Sequence, residues 1–441
     1  MAIKVGMVSL GCPKNQVDAE IMLSRLASGG YEITADENEC EVIIVNTCGF
    51  IGDAKQEAIN NIIELGETKK NGKLKSIVVT GCLAERYKEE VLKEMPEVDA
   101  VVGIGENKNI CEIVEKSLKS DAFCAPGEKE NLDLDGDRML TTPDYTAYLR
   151  ISDGCDNKCT YCAIPMIRGG FRSRKMENVL AEAKSLAENG AKEIILIAQD
   201  TTRYGEDLYG EYKLPELLDE LQKIDGIQWI RILYAYPDKI TDELISAMKR
   251  NSKVLHYLDI PMQHASDKIL KKMNRKGDGK FLENLIEKLR AEMPDITIRT
   301  TFIVGFPGES DEDFTLLAEF VQKQKFNRMG AFTYSPEEDT PAANFPDQID
   351  DDVKDRRLEV LMAEQSVVND EIAENQIGKQ LKVLVEGYDR MNKCYFGRSE
   401  MDAPDIDGKV FFISEKTYNP GEFVTLNIYD RIDYDLLGEE I

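Results

Sequence analysis

Three cysteines fall within eight residues in the stretch Gly154-Cys155-Asp156-Asn157-Lys158-Cys159-Thr160-Tyr161-Cys162, spaced C-x3-C-x2-C. Thiolates at that spacing can wrap one face of a compact iron-sulfur or metal centre. A structural zinc site would need a fourth ligand, usually from a second C-x2-C or from paired histidines. The chain has only His256 and His264, which belong to no such pattern. Metal or redox chemistry with an open coordination position is therefore the leading reading of this stretch. Cys12, Cys48 and Cys82 form a looser set, each standing just after a short apolar run. Taken alone they fit a buried small hydrophobe as well as a ligand.

The elements that must carry these thiols follow from the hydrophobic pattern. Ile3–Leu10, Val42–Val45 and Ile77–Thr80 are short buried-strand candidates, and helical patterns follow, as in VDAEIMLSRLASGG and AERYKEEVLKEMPE. The alternation predicts a βαβαβ unit with a parallel sheet. In such a sheet ligands gather beyond the carboxyl ends of the strands, where all three of these cysteines stand. Residues 121–144, with GEKENLDLDGDR, read as a polar linker. From Tyr145 a second series begins: AYLRI, EIILIAQD, IQWIRILYAYP, HYLDIPMQ, TIRTTFIVGFPGE and RMGAFTYSP, with helical patterns between them. Six strands with intervening helices predict a (β/α)6 partial barrel, and Cys155 follows its first strand. An acidic helix over 351–375 leads to QLKVLVEGY, CYFGRS, KVFFI and FVTLNIYD, which predict a small antiparallel β-barrel.

The class is thus α/β with a terminal β-barrel, and 441 residues fit three domains, placed at 1–130, 140–370 and 375–441. Hydrophobic content of 42% with 31% charged residues excludes a disordered chain. The N-terminal MAIKVGMVSL lacks an export-type pattern, and no apolar run approaches the ~20 residues that span a bilayer. A cytoplasmic location without membrane contact is expected, and there ten cysteines point to metal or redox use rather than disulfides. The formal net charge of −27 repels polyanions and attracts a basic partner.

The C-x3-C-x2-C motif, with aromatic Tyr161 before its last cysteine and a (β/α)6 strand before its first, resembles that of the radical S-adenosylmethionine enzymes. The resemblance implies a [4Fe-4S] cluster on Cys155, Cys159 and Cys162. Its open iron would chelate S-adenosylmethionine, whose reductive cleavage yields a 5′-deoxyadenosyl radical. The words Ser9-Leu10-Gly11-Cys12-Pro13-Lys14-Asn15, Asn46-Thr47-Cys48-Gly49-Phe50-Ile51 and Gly81-Cys82-Leu83 are similar to the signature of the methylthiotransferases within that superfamily. Ala198-Gln199-Asp200-Thr201-Thr202-Arg203-Tyr204-Gly205 and Arg168-Gly169-Gly170-Phe171-Arg172-Ser173-Arg174 add to the likeness, which covers essentially the whole chain. It implies a flavodoxin-like N-terminal domain holding a second [4Fe-4S] cluster on Cys12, Cys48 and Cys82, and a TRAM domain where the terminal barrel is predicted.

GCPKNQVDAE, rather than a glutamine-methionine variant after the cysteine, is similar to the branch that methylthiolates an aspartate of ribosomal protein S-twelve. That branch implies removal of a hydrogen atom from the aspartate β-carbon, followed by capture of a methylated sulfur, its methyl drawn from a second S-adenosylmethionine. A tuned side-chain base could not substitute, because the β C–H is too weakly acidic. The expected cofactors are two [4Fe-4S] clusters and S-adenosylmethionine, with Tyr161, Gln199 and Gly305 as candidate contacts to the latter. The sequence departs from the superfamily's glycine-rich segment at Thr301, four residues before Gly305, and has Ala19 where relatives often carry serine. Expected partners are a basic ribosomal protein and a reductant such as a flavodoxin or ferredoxin.

Asp18 and Glu20 read as helix-start carboxylates. Arg168, Arg172 and Arg174 read equally as anion-binding or surface residues. Cys40, Cys111, Cys124 and Cys394 read as packing. Two rivals remain. A methylthiotransferase acting on a tRNA adenosine would want a basic terminal barrel; from Asn375 onward eight basic residues face thirteen acidic ones, a net of −5. A non-catalytic iron-sulfur scaffold or redox sensor would consume no S-adenosylmethionine.

Overall fold

Two parallel sheets, a two-stranded ribbon and one closed barrel make up the described residues, and segments that leave the carboxyl edges of the two sheets touch, as where Arg168 meets Asp18. The computed structural model describes residues 2–49 and 51–441; Phe50, quoted above within Asn46–Ile51, lies outside the described residues. The first sheet is β1 (Lys4–Ser9), β2 (Glu32–Ile33), β3 (Val42–Thr47), β4 (Ser76–Gly81), β5 (Ala100–Val102) and β6 (Phe123–Ala125), in the order β2-β1-β3-β4-β5-β6. All pairs are parallel. This is the flavodoxin-like order, with its reversal between β1 and β3. The apolar runs of β3 and β4 are buried on both faces, as central parallel strands require.

Helix α1 (Pro13–Ser28) starts on a proline at its first position, where the lost N–H costs no helical bond. It is buried on two sides. Met22 and Leu26 lie in the core of the first sheet, while Val17 and Ile21 share a buried cluster with Tyr148, Ile195, Ile197 and Leu233. The expected continuous helix over AERYKEEVLKEMPE is broken, because Lys88 takes a left-handed φ of 42°. It separates α3 (Cys82–Tyr87) from α4 (Glu89–Glu94), with α2 (Gly52–Asn71) preceding both.

The second sheet holds all six expected strands: β7 (Thr146–Arg150), β10 (Glu193–Ile197), β11 (Trp229–Ile232), β12 (Val254–Asp259), β13 (Thr297–Val304) and β14 (Arg328–Thr333). They pair in sequential order and in parallel, an open (β/α)6 arc. A two-stranded ribbon, β8 (Ser152–Asp153) with β9 (Arg172–Ser173), follows β7.

The terminal barrel closes as β15 (Gln380–Asp389), β16 (Cys394–Ser399), β17 (Val410–Ile413), β19 (Asp435–Glu440) and β18 (Phe423–Ile432). Four of its pairings are antiparallel as expected, but β17 and β19 run parallel. Strand β19, DLLGEE, was not foreseen, since its acidic end hides the alternation. The barrel seals the amino-terminal end of the arc, far from the thiols. There Glu193 accepts from Arg398 at 2.6 Å and from Arg231 at 2.8 Å, and the Tyr257 hydroxyl donates to Asp407 at 2.7 Å. No helix among the described residues is long and apolar enough to cross a membrane.

The stretch 121–144 corrects the linker expectation. Part of it is β6, and the rest is a strap: Arg138 pairs with Glu20 and Glu182, and Asp135 pairs with Arg174. Polar, turn-rich composition suits a tether and an ion-paired strap alike.

Candidate functional site

The N-terminal triad is assembled by topology. Cys12 caps the start of α1 after β1, Cys48 follows β3 directly, and Cys82 opens α3 after β4. The register aligns Ser9 with Asn46 and Thr47 with Gly81, so the three loops leave one sheet edge side by side. Glycines let them touch. Gly11 has a φ of 98°, and a Cβ there would lie 2.9 Å from the Cys48 Cβ. A Cβ on Gly49 would lie 2.7 Å from the Leu83 amide nitrogen. Asn15 ties the edge together, donating to the carbonyls of Leu10 at 3.1 Å and Thr47 at 2.8 Å.

The second triad is assembled by one loop. Cys155, Cys159 and Cys162 follow β8 within eight residues, and the loop is pinned from outside. Thr160 donates from its amide to Met273 and from its hydroxyl to Lys272, while Asn274 donates to the Lys158 carbonyl at 2.8 Å. Lys158 itself takes a left-handed φ of 53°. Asn157 donates to Asp200, whose carboxyl is pushed up by burial.

At Cys82 in the first triad and at Cys155 and Cys162 in the second, the surroundings penalise a bare thiolate. Burial pushes the Cys82 thiol up to about 12, against the pull of Arg168, with Cys12 and Cys48 close enough to add to the rise. Burial pushes Cys155 up to about 11 and Cys162 higher still, and Cys159 adds to both. Cationic compensation is nonetheless at hand. Arg168 donates toward the Cys82 sulfur at 3.6 Å, and Arg275 toward the Cys159 sulfur at 3.9 Å, with the Tyr236 hydroxyl 3.6 Å from the same sulfur.

The donor set, three thiols in each triad and no histidine beside them, suits an iron-sulfur group. Thiolates sharing one zinc ion would each sit about 2.3 Å from it, and among the described residues no group of three or more His, Cys, Asp or Glu is drawn together in that way. Each triad also has a guanidinium aimed at one of its sulfurs, Arg168 at Cys82 and Arg275 at Cys159, and such donors suit the sulfur-rich, anionic surface of a cluster. At the same carboxyl edge of the arc, buried polar atoms lack partners: Gln199 Oε1, Gln263 Oε1 and Arg150 Nη2. Such orphans suit a polar ligand.

The remaining expected residues divide. Gln199 reaches Asp153 with its amide nitrogen at 3.2 Å. Tyr161 packs edge-on to Phe306, with ring centroids 6.5 Å apart. Gly305 has a φ of 72°, gives its amide to Glu309 at 2.8 Å, and leaves no room for a Cβ beside Lys354. Its backbone shapes the loop.

Asp18 and Glu20 are not solvated helix-start carboxylates. Asp18 is buried between Arg150 and Arg168, the latter at 2.7 Å, and both guanidiniums also reach Asp153. Burial would raise the Asp18 pKa, but the two arginines hold it below the ordinary value. Arg168 therefore joins α1, the arc and Cys82 in one network, and it also donates to Asn15. Arg174 is likewise buried, and Arg172 donates to backbone carbonyls. Arg275, Tyr236 and Gln263 escaped the sequence reading, since each stands far along the chain from the motif it serves. Glu337 also accepts from Arg86 at 2.6 Å and from Lys55 at 2.9 Å, a second latch between the two sheets.

Comparison with known proteins agrees with this architecture. Residues 4–103 match a family model described as "Uncharacterized protein family UPF0004", residues 149–321 the radical SAM superfamily, and residues 377–441 the TRAM domain. Among solved structures, the radical S-adenosylmethionine methyltransferase TsrM from Kitasatospora setae, with cobalamin and a [4Fe-4S] cluster bound, superposes with a TM-score of 0.56 at 15% identity, over 78% of this chain and 77% of that one. The cobalamin-dependent radical enzyme OxsB, with aqua-cobalamin and S-adenosylmethionine bound, gives 0.53 at 14% identity, over 82% and 56%. At that identity the likeness is one of fold. Sequence relatives stand much nearer. The ribosomal protein uS12 methylthiotransferase RimO of Acetivibrio thermocellus is 51% identical over 100% of this chain and 99% of its own. Those of Thermoanaerobacter sp. and Geobacter sulfurreducens are 50% and 51% identical, over 99% of this chain and 99% and 98% of theirs. Full-length identity at this level, with the three domain matches in the same order, means that the chain belongs to the RimO family of radical SAM methylthiotransferases.

Proposed function

We propose that this chain inserts a methylthio group at the β-carbon of an aspartate of ribosomal protein uS12. In this reading Cys155, Cys159 and Cys162 hold one [4Fe-4S] cluster beside S-adenosylmethionine, and Cys12, Cys48 and Cys82 hold a second. When bound, the first cluster with S-adenosylmethionine supplies hydrogen-atom abstraction from an unactivated carbon, and the second supplies a place for sulfur. The observation that carries the reading is the contact of Arg168 of the arc with Cys82 of the first sheet, at 3.6 Å.

The chain's own groups divide the remaining work. Gln199, with its unpartnered oxygen, and Tyr161 are assigned to S-adenosylmethionine, and Gly305 to shaping the loop beside it. The Asp18, Arg150, Arg168 and Asp153 network holds α1 at a fixed distance from the arc, which two centres acting on one carbon require. The buried cluster around Val17, Ile21 and Leu233 keeps water from that seam. The terminal barrel, at a net −5, suits a basic ribosomal protein and repels a phosphate backbone. Electrons come from an external reductant such as a flavodoxin or ferredoxin, and a ribosomal substrate puts the reaction in the cytoplasm.

The test is anaerobic incubation of reconstituted enzyme with S-adenosylmethionine, dithionite and either purified uS12 or bulk tRNA. Mass spectrometry should find methylthiolated aspartate in uS12 and none on tRNA. Product on tRNA alone would reverse the substrate assignment, and no 5′-deoxyadenosine in either reaction would leave only a scaffold.

A further inference from the structure

Lys14 is a cation in an unusual position. Its side chain is 7% exposed, and its ammonium lies over the Tyr234 ring, 3.4 Å from the centroid. The groups that weigh most on its charge are Tyr234, Cys12 and Arg168, and among the described residues no salt bridge pairs it with an aspartate or glutamate. Asp18, one turn further along α1, is already shared between Arg150 and Arg168. A desolvated ammonium paired with no carboxylate is costly, and a cation-π contact returns only part of the lost hydration.

Tyr234 supplies a second, independent observation. It stands just past the carboxyl end of β11 with a left-handed φ of 62°, rare for an aromatic residue. The strain is imposed by Asp259, whose carboxylate accepts the Tyr234 amide at 3.1 Å and whose carbonyl accepts the Ala235 amide at 2.8 Å. Strain of this kind persists where a site needs it. Here it sets the phenol ring beneath Lys14, at the carboxyl edge of the arc where such folds bind their substrates.

We propose that Lys14 is a specificity-determining residue, which receives the side-chain carboxylate of the substrate aspartate. The inference rests on the proposed function. It deepens that reading by naming the group that tells aspartate from a neutral side chain. The β-carbon is bonded to that carboxylate, so an ammonium two residues from Cys12 sets the reacting carbon beside the N-terminal triad. The same charge rewards a neutral amide oxygen much less than a carboxylate.

The test compares the affinity of purified uS12 for the reconstituted enzyme with that of uS12 whose target aspartate is changed to asparagine. Competition anisotropy is the readout, for wild type, Lys14→Gln, Lys14→Met and Lys14→Arg. Wild type should prefer the aspartate form by about 10- to 100-fold, the range of a hydrogen bond to a charged group. Lys14→Gln and Lys14→Met should bind both forms alike, and Lys14→Arg should restore part of the preference. Equal binding of the two forms by wild type would overturn the inference without any variant, which covers the case in which the variants fail to fold. Retained preference in Lys14→Gln or Lys14→Met would overturn it as well, and would leave Lys14 as counter-charge to the thiolates. If wild type neither binds nor modifies uS12, the proposed function itself has failed, and that outcome is distinct from the other two.

Discussion

The two thiol triads are built in opposite ways. The one in the arc comes from a single loop of eight residues, pinned by Thr160 and Asn274 to a neighbouring turn. The one in the first sheet comes from three strand ends spread over 71 positions from Cys12 to Cys82, and exists only because β1, β3 and β4 lie side by side. Yet each receives the same finishing touch, an arginine from elsewhere in the chain: half-buried Arg275 at Cys159 and buried Arg168 at Cys82. A local loop makes a self-sufficient centre. A distributed one depends on the fold and, through Arg168, on the neighbouring sheet.

That contrast can be broken outright at the cysteines. Cys155→Ala should abolish 5′-deoxyadenosine release altogether, as judged by chromatography under anaerobic reduction. Cys48→Ala should leave that release in place and eliminate methylthio product on uS12. A Cys48→Ala enzyme that still makes product would erase the division between the triads.

A smaller effect is expected at the seam. Arg168→Ala leaves Asp18 and Asp153 short of a partner in a buried network, a change that costs about 3–5 kcal/mol in comparable sites. Denaturant unfolding should show the loss, and iron at the N-terminal triad should fall before iron at the arc. Equal loss from both would mean that Arg168 is general support. Smaller again is the effect of acid. The Asp18 pKa is held below its unfolded value, so the network's contribution is complete above about pH 4 and is lost as pH falls through the folded value. Asp18→Asn should lower stability at neutral pH and flatten its decline below about pH 4. An unchanged acid limb would assign that decline to other carboxylates.

How far the sequence could be read follows the same division. The arc triad and all six arc strands were legible because their signals are local: a nine-residue motif, and apolar runs bounded by turns. The N-terminal set is proposed from the rule that ligands gather at carboxyl strand ends together with the likeness of the words around Cys12, Cys48 and Cys82 to a family signature, since nothing in its spacing joins Cys12 to Cys82. What escaped is what only tertiary packing creates. Arg168 and Asp18 are 150 positions apart, and Arg275 and Cys159 are 116 apart. Asp18 and Glu20 looked like helix-start carboxylates because the sequence does not reveal that α1 is sandwiched between two sheets. The strap over 126–144 looked like a tether because its partners, Glu20, Arg174 and Glu182, lie outside it.

The central claim is that two separate thiol triads each hold a [4Fe-4S] centre. Mössbauer spectroscopy with iron and sulfide quantitation on anaerobically purified protein tests it most directly, wild type beside a Cys12→Ala, Cys48→Ala, Cys82→Ala variant. Wild type should carry about eight irons in two cubane signals, and the variant about four in one, with S-adenosylmethionine cleavage retained. About four irons in wild type and the same in the variant would contradict it.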